Sequence, residues 1–163
     1  MSRKPGNGRQ STGGMTPAGI ASRFDLAVQE HQKGRLDKAR RLYRKILKAS
    51  PRHADALHML GLLEHQSGNQ AAAIELFNEA IQAGATGAEL FTNLGSALQA
   101  AGRLEEAVNC YRRAIALNPA FTLAYNNLGN ALRAAGDRDA ATAAFRRALE
   151  IAPDVALLHF NLG

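Results

Sequence analysis

A period of 34 residues runs through this chain and constrains its fold more than any other feature. Two glycine columns, an alanine column and an aromatic column all keep this interval. They are Gly61, Gly95, Gly129 and Gly163; Gly34, Gly68, Gly102 and Gly136; Ala39, Ala73, Ala107 and Ala141; and Tyr43, Phe77, Tyr111 and Phe145. Self-similarity at a fixed period of roughly 20 to 50 residues indicates a solenoid, in which each unit buries its apolar face against the next.

Each unit divides into two segments with helical apolar periodicity. With position 1 at Ile20, Ala54, Ala88 and Thr122, helix A covers about the first 14 positions and helix B about positions 17 to 30. The glycine column at position 15 permits the left-handed backbone that ends a helix, and a proline column at position 32 stops helix B. Because Ala and Leu dominate the apolar content, the prediction is an all-α fold, an α-α superhelical solenoid of helix-turn-helix units.

The repeats define the expected domain. Residues 1–19 are rich in Gly, Ser, Thr and basic residues, so this segment is predicted to be a disordered tail. The repeat domain is expected over 20–163, with repeats at 20–53, 54–87, 88–121, 122–155 and a truncated fifth at 156–163. The fifth unit stops within helix A, and solenoids usually end in a capping helix. We therefore expect the chain to be the N-terminal fragment of a longer protein.

Charge is distributed unevenly along the chain. Residues 1–52 hold 13 Lys and Arg against 3 Asp and Glu, whereas residues 53–163 hold 7 against 11. Helix B of repeat 1 contains a basic run of Lys38, Arg40, Arg41, Arg44, Lys45 and Lys48. No aromatic residue alternates with these charges to stack on bases, so we interpret the run as a solvated face and argue against nucleic acid as the main partner.

The chain carries no recognisable targeting or membrane-spanning segment. No apolar run reaches the roughly 20 residues that a membrane helix needs, and the N-terminus lacks the apolar core of a secretory signal. A single cysteine, Cys110, excludes an intrachain disulfide and fits a reducing compartment. The expected location is therefore cytoplasmic.

These columns resemble those of the tetratricopeptide repeat family, as found in the repeat regions of bacterial proteins. The stretches NLGSALQAAGRLEEAVNCYRRAIALNP and NLGNALRAAGDRDAATAAFRRALEIAP carry the resemblance, which extends over residues 20–163. The sequence departs from the family pattern at position 4, where Trp is frequent and Arg23, Leu57, Phe91 and Tyr125 stand here. The resemblance implies a scaffold that binds a protein or peptide in a concave groove lined by the A helices.

Asparagine recurs at position 6, which we expect to face the groove. The column reads Asp25, Met59, Asn93, Asn127 and Asn161. An Asn side chain offers donors and an acceptor, so it can pair with both groups of an extended peptide backbone. A solvated face that merely tolerates Asn is the competing interpretation. With their polar neighbours, the predicted groove residues are Asn93, Asn127, Asn161, Asn126, Asn130, Arg133, His58, His65 and His31.

The Asn column also resembles that of O-linked N-acetylglucosamine transferases, whose repeats present substrates to a glycosyltransferase domain. The alternative function is therefore the substrate-recruiting region of such an enzyme. Another family use, the co-chaperone clamp for chaperone C-termini, needs Lys and Arg at groove positions. Positions 5 of repeats 3 and 4 hold Thr92 and Asn126 instead, so the clamp constellation is absent.

We expect neither catalysis nor a cofactor from these residues. His31, His58 and His65 lie in adjacent units or two turns apart, so their ring nitrogens are not expected to converge on one metal ion. Cys110 has no base beside it in the repeat pattern, and we interpret it as structural. The sequence predicts a non-enzymatic protein-interaction scaffold without metal or cofactor, and its oligomeric state stays open.

Overall fold

The computed structural model describes residues 15–153, and these form helices joined by short turns. Eight helices lie in this part of the chain, with no strand among them: α1 (Pro17–Gln32), α2 (Leu36–Ala49), α3 (Ala54–Gln66), α4 (Gln70–Gln82), α5 (Ala88–Ala100), α6 (Leu104–Leu117), α7 (Thr122–Ala134) and α8 (Arg138–Ile151). The odd-numbered helices are the predicted A helices and the even-numbered ones the B helices. The predicted all-α fold and its two-helix units are confirmed.

Turn residues end the helices where the repeat columns place them. Gly34, Gly68, Gly102 and Gly136 follow the A helices with φ between 73° and 90°, in the left-handed region that favours glycine. Helices α2, α6 and α8 end two residues before a proline. Repeat 2 lacks this proline, and Gly84 and Gly87, both at positive φ, join α4 to α5 instead.

The first helix begins earlier than the repeat columns suggest. Helix α1 starts at Pro17 rather than at residue 20. The Thr16 hydroxyl accepts a hydrogen bond from the backbone N–H of Gly19, and proline is well suited to the first helical position. The rest of the predicted tail, residues 1–14, and the predicted fifth repeat lie outside the described residues.

Within each unit, helix B packs its aromatic residue against a glycine of helix A. A Cβ atom placed on Gly61 would lie 2.8 Å from Phe77, and one on Gly129 would lie 2.5 Å from Phe145. From the sequence repeat alone, the aromatic column at position 24 is expected to fill the space between neighbouring units. The structure corrects that expectation, because each ring fills the gap between the two helices of its own unit.

The buried residues form two clusters along the stack. One joins repeats 1 and 2 and includes Ala27, Tyr43 and Leu60. The other runs through repeats 2 to 4, from Leu57 to Phe145. The A helices also contact one another in succession, α1 with α3, α3 with α5 and α5 with α7. Since closely approaching helices lie on the inner side of a curved stack, the A helices form the floor of a groove.

Candidate functional site

The side chains on the groove floor change from mostly apolar to polar along its length. At positions 6 and 9 of repeats 1 and 2 stand Asp25, Val28, Met59 and Leu62, whereas repeats 3 and 4 present Asn93, Ser96, Asn127 and Asn130. We call the first surface, Val28, Met59 and Leu62, the apolar end, and the second, Asn93, Ser96, Asn127 and Asn130, the polar end. All seven of these side chains are partly exposed. The groove therefore offers apolar contact at one end and hydrogen bonding at the other.

Asn93 is held by a histidine of the preceding unit. Its Nδ2 lies 3.0 Å from Nε2 of His58, and the His58 ring packs edge-on against Phe77. Burial lowers the pKa of His58 below its usual value, while Glu89 and Asp55 oppose that shift. A neutral His58 can accept from the Asn93 amide at Nε2. The Asn93 carbonyl oxygen then has no hydrogen-bond partner within the described residues and is available to a ligand.

Asn127 is also held by the preceding unit, but its partner is Ser96 at position 9 rather than a histidine at position 5. Its Nδ2 donates to Oγ of Ser96 at 3.4 Å, and Ser96 in turn donates to the Thr92 carbonyl at 3.0 Å. The Asn127 carbonyl oxygen is also left without a partner in the part of the chain that the structure describes. In both units the preceding repeat fixes the amide and leaves an acceptor, so the two Asn side chains are oriented before any ligand binds.

The polar end contains a second set of oriented amides. The Tyr111 hydroxyl donates to Oε1 of Gln99 at 3.0 Å and lies 3.3 Å from Ser96 Oγ. The Arg133 guanidinium donates to Oδ1 of Asn130 at 2.9 Å and lies 5.5 Å from the centre of the Phe145 ring. Three residues of the predicted groove set, Asn127, Asn130 and Arg133, therefore lie near one another. Gln99 and Ser96 complete the group and were absent from the predicted set.

The other two histidines of the predicted groove set each hydrogen-bond to a glutamine. His31 Nε2 lies 2.8 Å from Gln66 Oε1 of the next unit, and His65 Nδ1 lies 2.5 Å from Gln70 Oε1. Nδ1 of His31 and the Tyr43 hydroxyl are both buried without a hydrogen-bond partner in residues 15–153. His31 and His65 therefore lie in the floor but form no common site with His58. No cluster of three or more metal-binding side chains occurs within residues 15–153.

One predicted groove residue is buried. Asn126 is only 7% exposed and is engaged in an interaction within the fold. Position 5 lies one residue before the Asn column, about 100° away around the helix. In repeats 3 and 4 Thr92 and Asn126 are buried there, whereas His58 at the same position of repeat 2 is partly exposed. Asn126 is therefore removed from the groove surface. Asn161 lies outside the described residues, so its place in the column stays a prediction.

The basic run on α2 divides into two faces. Lys38 contacts Glu30, and Arg40 and Arg44 contact Glu64 at 2.9 and 3.5 Å. Both carboxylates are buried at position 11, where repeats 3 and 4 have Leu98 and Leu132. These pairs were not anticipated, although a Glu in a column of leucines was a signal in the sequence. Arg41, Lys45 and Lys48 remain exposed.

Cys110 shows no sign of activation. It is partly buried on α6, and burial raises the pKa of its thiol to about 11, with a further contribution from Glu106. A nucleophilic cysteine needs the opposite shift, because the thiolate is the reactive form. The structural interpretation of Cys110 therefore agrees with its surroundings.

Known proteins share both the sequence pattern and the fold. Sequence profiles of the tetratricopeptide repeat match residues 24–88 and 122–155, and a TPR repeat profile matches 100–136. Two crystal structures of MamA are similar: one has 31% identity over 84% of this chain and 80% of its own, with a TM-score of 0.79; the other has 30% identity over 88% and 78%, with a TM-score of 0.81.

A third solved structure is that of YrrB, described as a TPR protein with an unusual peptide-binding site. It shares 26% identity over 86% of this chain and 72% of its own, with a TM-score of 0.77. No curated protein sequence matches the chain. The repeat profiles and the MamA structures together show that the chain belongs to the tetratricopeptide repeat family. Within the described residues, no helix is long and apolar enough to cross a membrane.

Proposed function

We propose that this chain is a protein-interaction scaffold that holds an extended segment of a partner protein in the groove formed by α1, α3, α5 and α7. The observation that carries the proposal is the pair Asn93 and Asn127. They occupy the same position in successive A helices, and each is fixed by the repeat before it. Each leaves a carbonyl oxygen that can accept a hydrogen bond from a backbone N–H of a bound segment.

The neighbouring proteins support the same class of function. YrrB is a repeat protein with a peptide-binding site, and it has the fold of this chain over most of its length. A helical groove without a catalytic constellation among the described residues fits a binding protein rather than an enzyme. The cytoplasm stays the predicted location.

The alternative, a substrate-recruiting region of a glycosyltransferase, has weaker support. It depends on the Asn column, and only two of the four described repeats have Asn there, with Asp25 and Met59 in the others. A nucleic-acid adaptor is also less favoured, because three of the six cations on α2 contact buried carboxylates. Steep loss of binding with rising salt would mark such an adaptor.

A displayed library of random dodecapeptides tests the proposal. Peptides selected on the whole chain are expected to bind Asn93→Ala/Asn127→Ala roughly tenfold to thirtyfold more weakly, since two hydrogen-bonding side chains are lost. The matched control is Asn78→Ala/Asn109→Ala, which removes two exposed amides from the B helices. Peptides that bind all three proteins equally would place recognition outside the groove.

A further inference from the structure

A recess of about 380 Å³ opens in the polar end of the groove, where α5, α6 and α7 meet. Pockets of this size accommodate a side chain or a small ligand. Its lining consists of one small apolar residue and five polar ones: Ser96, Gln99, Ala100, Tyr111, Asn127 and Asn130. A recess so rich in hydrogen-bonding groups selects its occupant by the balance of donors and acceptors that remain free.

The donors and acceptors that remain free follow from the hydrogen bonds already made within the fold. Arg133 can only donate, and it donates to Oδ1 of Asn130, so the Asn130 amide must present its NH₂ group elsewhere. The Tyr111 hydroxyl donates to Oε1 of Gln99, so the Gln99 NH₂ group also points away from its partner and stays free to donate. Neither NH₂ group has a hydrogen-bond partner in the described part of the chain. The recess therefore has two oriented donor groups at its wall.

The charge around the recess favours an anion. No Asp or Glu among residues 15–153 lines it, and the Arg133 guanidinium adjoins it through Asn130. Among the amide oxygens of the recess, only that of Asn127 accepts no hydrogen bond within the described residues, and the proposed function gives it to the peptide backbone. An occupant of the recess must consequently supply acceptors, and hydrogen bonds to a charged acceptor are the stronger kind.

We infer that this recess binds the carboxylate of an Asp or Glu side chain in the partner segment that lies in the groove. The inference rests on the proposed function and adds the chemistry of the partner. The carboxylate oxygens accept from the free NH₂ groups of Gln99 and Asn130, with Arg133 providing the compensating charge. Asn127 holds the adjoining backbone.

The corresponding place in repeat 1 lacks this chemistry, and in repeat 2 Phe77 stands in the column of Tyr111 without a hydroxyl group. The carboxylate therefore has one position along the described repeats. Tyr43 occupies the column of Tyr111, but its hydroxyl has no hydrogen-bond partner among the described residues. Val28 and Leu62 replace Ser96 and Asn130. The acidic residue of the partner is therefore expected over repeats 3 and 4.

The test compares two peptides that differ at one residue. A library peptide that binds the groove is synthesised with Glu or with Gln at its acidic position, and both are titrated against the whole chain. The Glu peptide is expected to bind about fivefold more tightly, because charged acceptors make stronger hydrogen bonds. Gln99→Glu, which places a negative charge in the recess, is expected to remove or reverse this preference.

Tyr111→Phe tests how Gln99 is positioned, and Tyr43→Phe is its matched control. Phe77 and Phe145 occupy the same column, so both variants are expected to fold. Without the Tyr111 hydroxyl, the Gln99 amide is free to turn its oxygen to the recess. The preference for Glu over Gln should then shrink in Tyr111→Phe and persist in Tyr43→Phe.

The outcomes separate this inference from the proposed function. Library peptides that depend on Asn93 and Asn127 but prefer neither Glu nor Gln overturn the carboxylate site and leave the groove intact. An unchanged preference in both Gln99→Glu and Tyr111→Phe also overturns it. If no peptide binds the chain at all, the proposed function fails and the inference fails with it.

Discussion

At the scale of single residues, two tyrosines have the same packing role and opposite hydrogen bonding. Tyr43 and Tyr111 are each at most 1% exposed and occupy the same column. The Tyr111 hydroxyl donates a hydrogen bond to Gln99, whereas the buried Tyr43 hydroxyl has no hydrogen-bond partner in the described part of the chain. Burial raises the pKa of Tyr43 to about 12. A buried polar group without a partner is costly because it has lost its hydrogen bonds to water.

The two tyrosines should therefore respond oppositely to the same substitution. Tyr43→Phe is expected to raise the free energy of unfolding by about 1 kcal/mol, because it removes an unpaired hydroxyl from the core. Tyr111→Phe is expected to lower it by about 1 kcal/mol, because a hydrogen bond is lost. Urea unfolding of both variants measures the difference. Equal changes of the same sign would mean that the Tyr43 hydroxyl has a partner in solution.

Gly129 is the residue at which the structure leaves least room for a side chain. A Cβ atom there would approach Phe145 to 2.5 Å. Gly129→Ala is expected to lower the free energy of unfolding by about 1 to 3 kcal/mol through overpacking, partly offset by the better helix propensity of Ala. The double variant Gly129→Ala/Phe145→Leu, measured by the same urea titration, should recover part of the loss. A stabilised Gly129→Ala would contradict the close contact.

At the scale of helices, a buried ion pair joins repeat 1 to repeat 2. Glu64 of α3 is 4% exposed and accepts hydrogen bonds from Arg40 of α2 at 2.9 Å and from Asn69 at 2.7 Å. Removing one partner of a buried pair leaves a carboxylate with fewer compensating groups. In repeats 3 and 4 the same position is occupied by leucine, which is uncharged and needs no compensating positive charge.

The leucines of repeats 3 and 4 predict that stability lost by removing Arg40 is regained when Glu64 is replaced by leucine. Arg40→Met is expected to lower the free energy of unfolding by about 2 kcal/mol, less than for an isolated pair because Arg44 and Asn69 still contact Glu64. Arg40→Met/Glu64→Leu should regain most of that loss, since no buried charge remains. A double-mutant cycle by urea unfolding measures it. Additive losses from the two substitutions would show that the pair is not coupled.

The same pairs predict how stability depends on pH. Burial alone raises the pKa of Glu64, but hydrogen bonds from Asn69 and Arg40 outweigh it and the net pKa is lowered below 4.5. The pKa of Glu30 is lowered in the same way, with Arg35 and Lys38 outweighing burial. A carboxyl whose pKa is lowered on folding stabilises the fold above its unfolded value and loses that contribution in acid.

Stability should therefore change little between neutral pH and about pH 5 from these groups, and fall below about pH 4.5 as they protonate. Urea unfolding at a series of pH values checks this. The control is Arg40→Met/Glu64→Leu, which lacks one of the two buried carboxylates and should lose less stability in acid. If both proteins lose the same free energy of unfolding in acid, carboxyl groups other than Glu64 cause the loss.

The sequence predicted the helices well and the groove only in part. The glycine and proline columns act locally, so they located the ends of the helices to within a few residues. Side-chain contacts between units depend on packing that periodicity does not specify. For this reason the His58–Asn93 bond, the Glu64–Arg40 pair and the burial of Asn126 did not follow from the columns.

At the scale of the whole molecule, the stack is built from two kinds of repeat. Repeats 1 and 2 have buried carboxylates in the core and the apolar end of the groove. Repeats 3 and 4 have leucines in the core and the polar end of the groove. Because repeat proteins are stabilised unit by unit, these two ends can differ in chemistry without changing the fold. A partner that lies along the whole groove would meet both surfaces.

The most direct test of the groove as the binding surface is a chemical-shift map of the backbone amides with and without a library-selected peptide. We predict that the shifts that change lie mainly on α3, α5 and α7, around Asn93 and Asn127, and that Asn93→Ala/Asn127→Ala abolishes most of them. Changes confined to the B helices, for example around Arg41 and Lys45, would contradict the account and move recognition to the outer face.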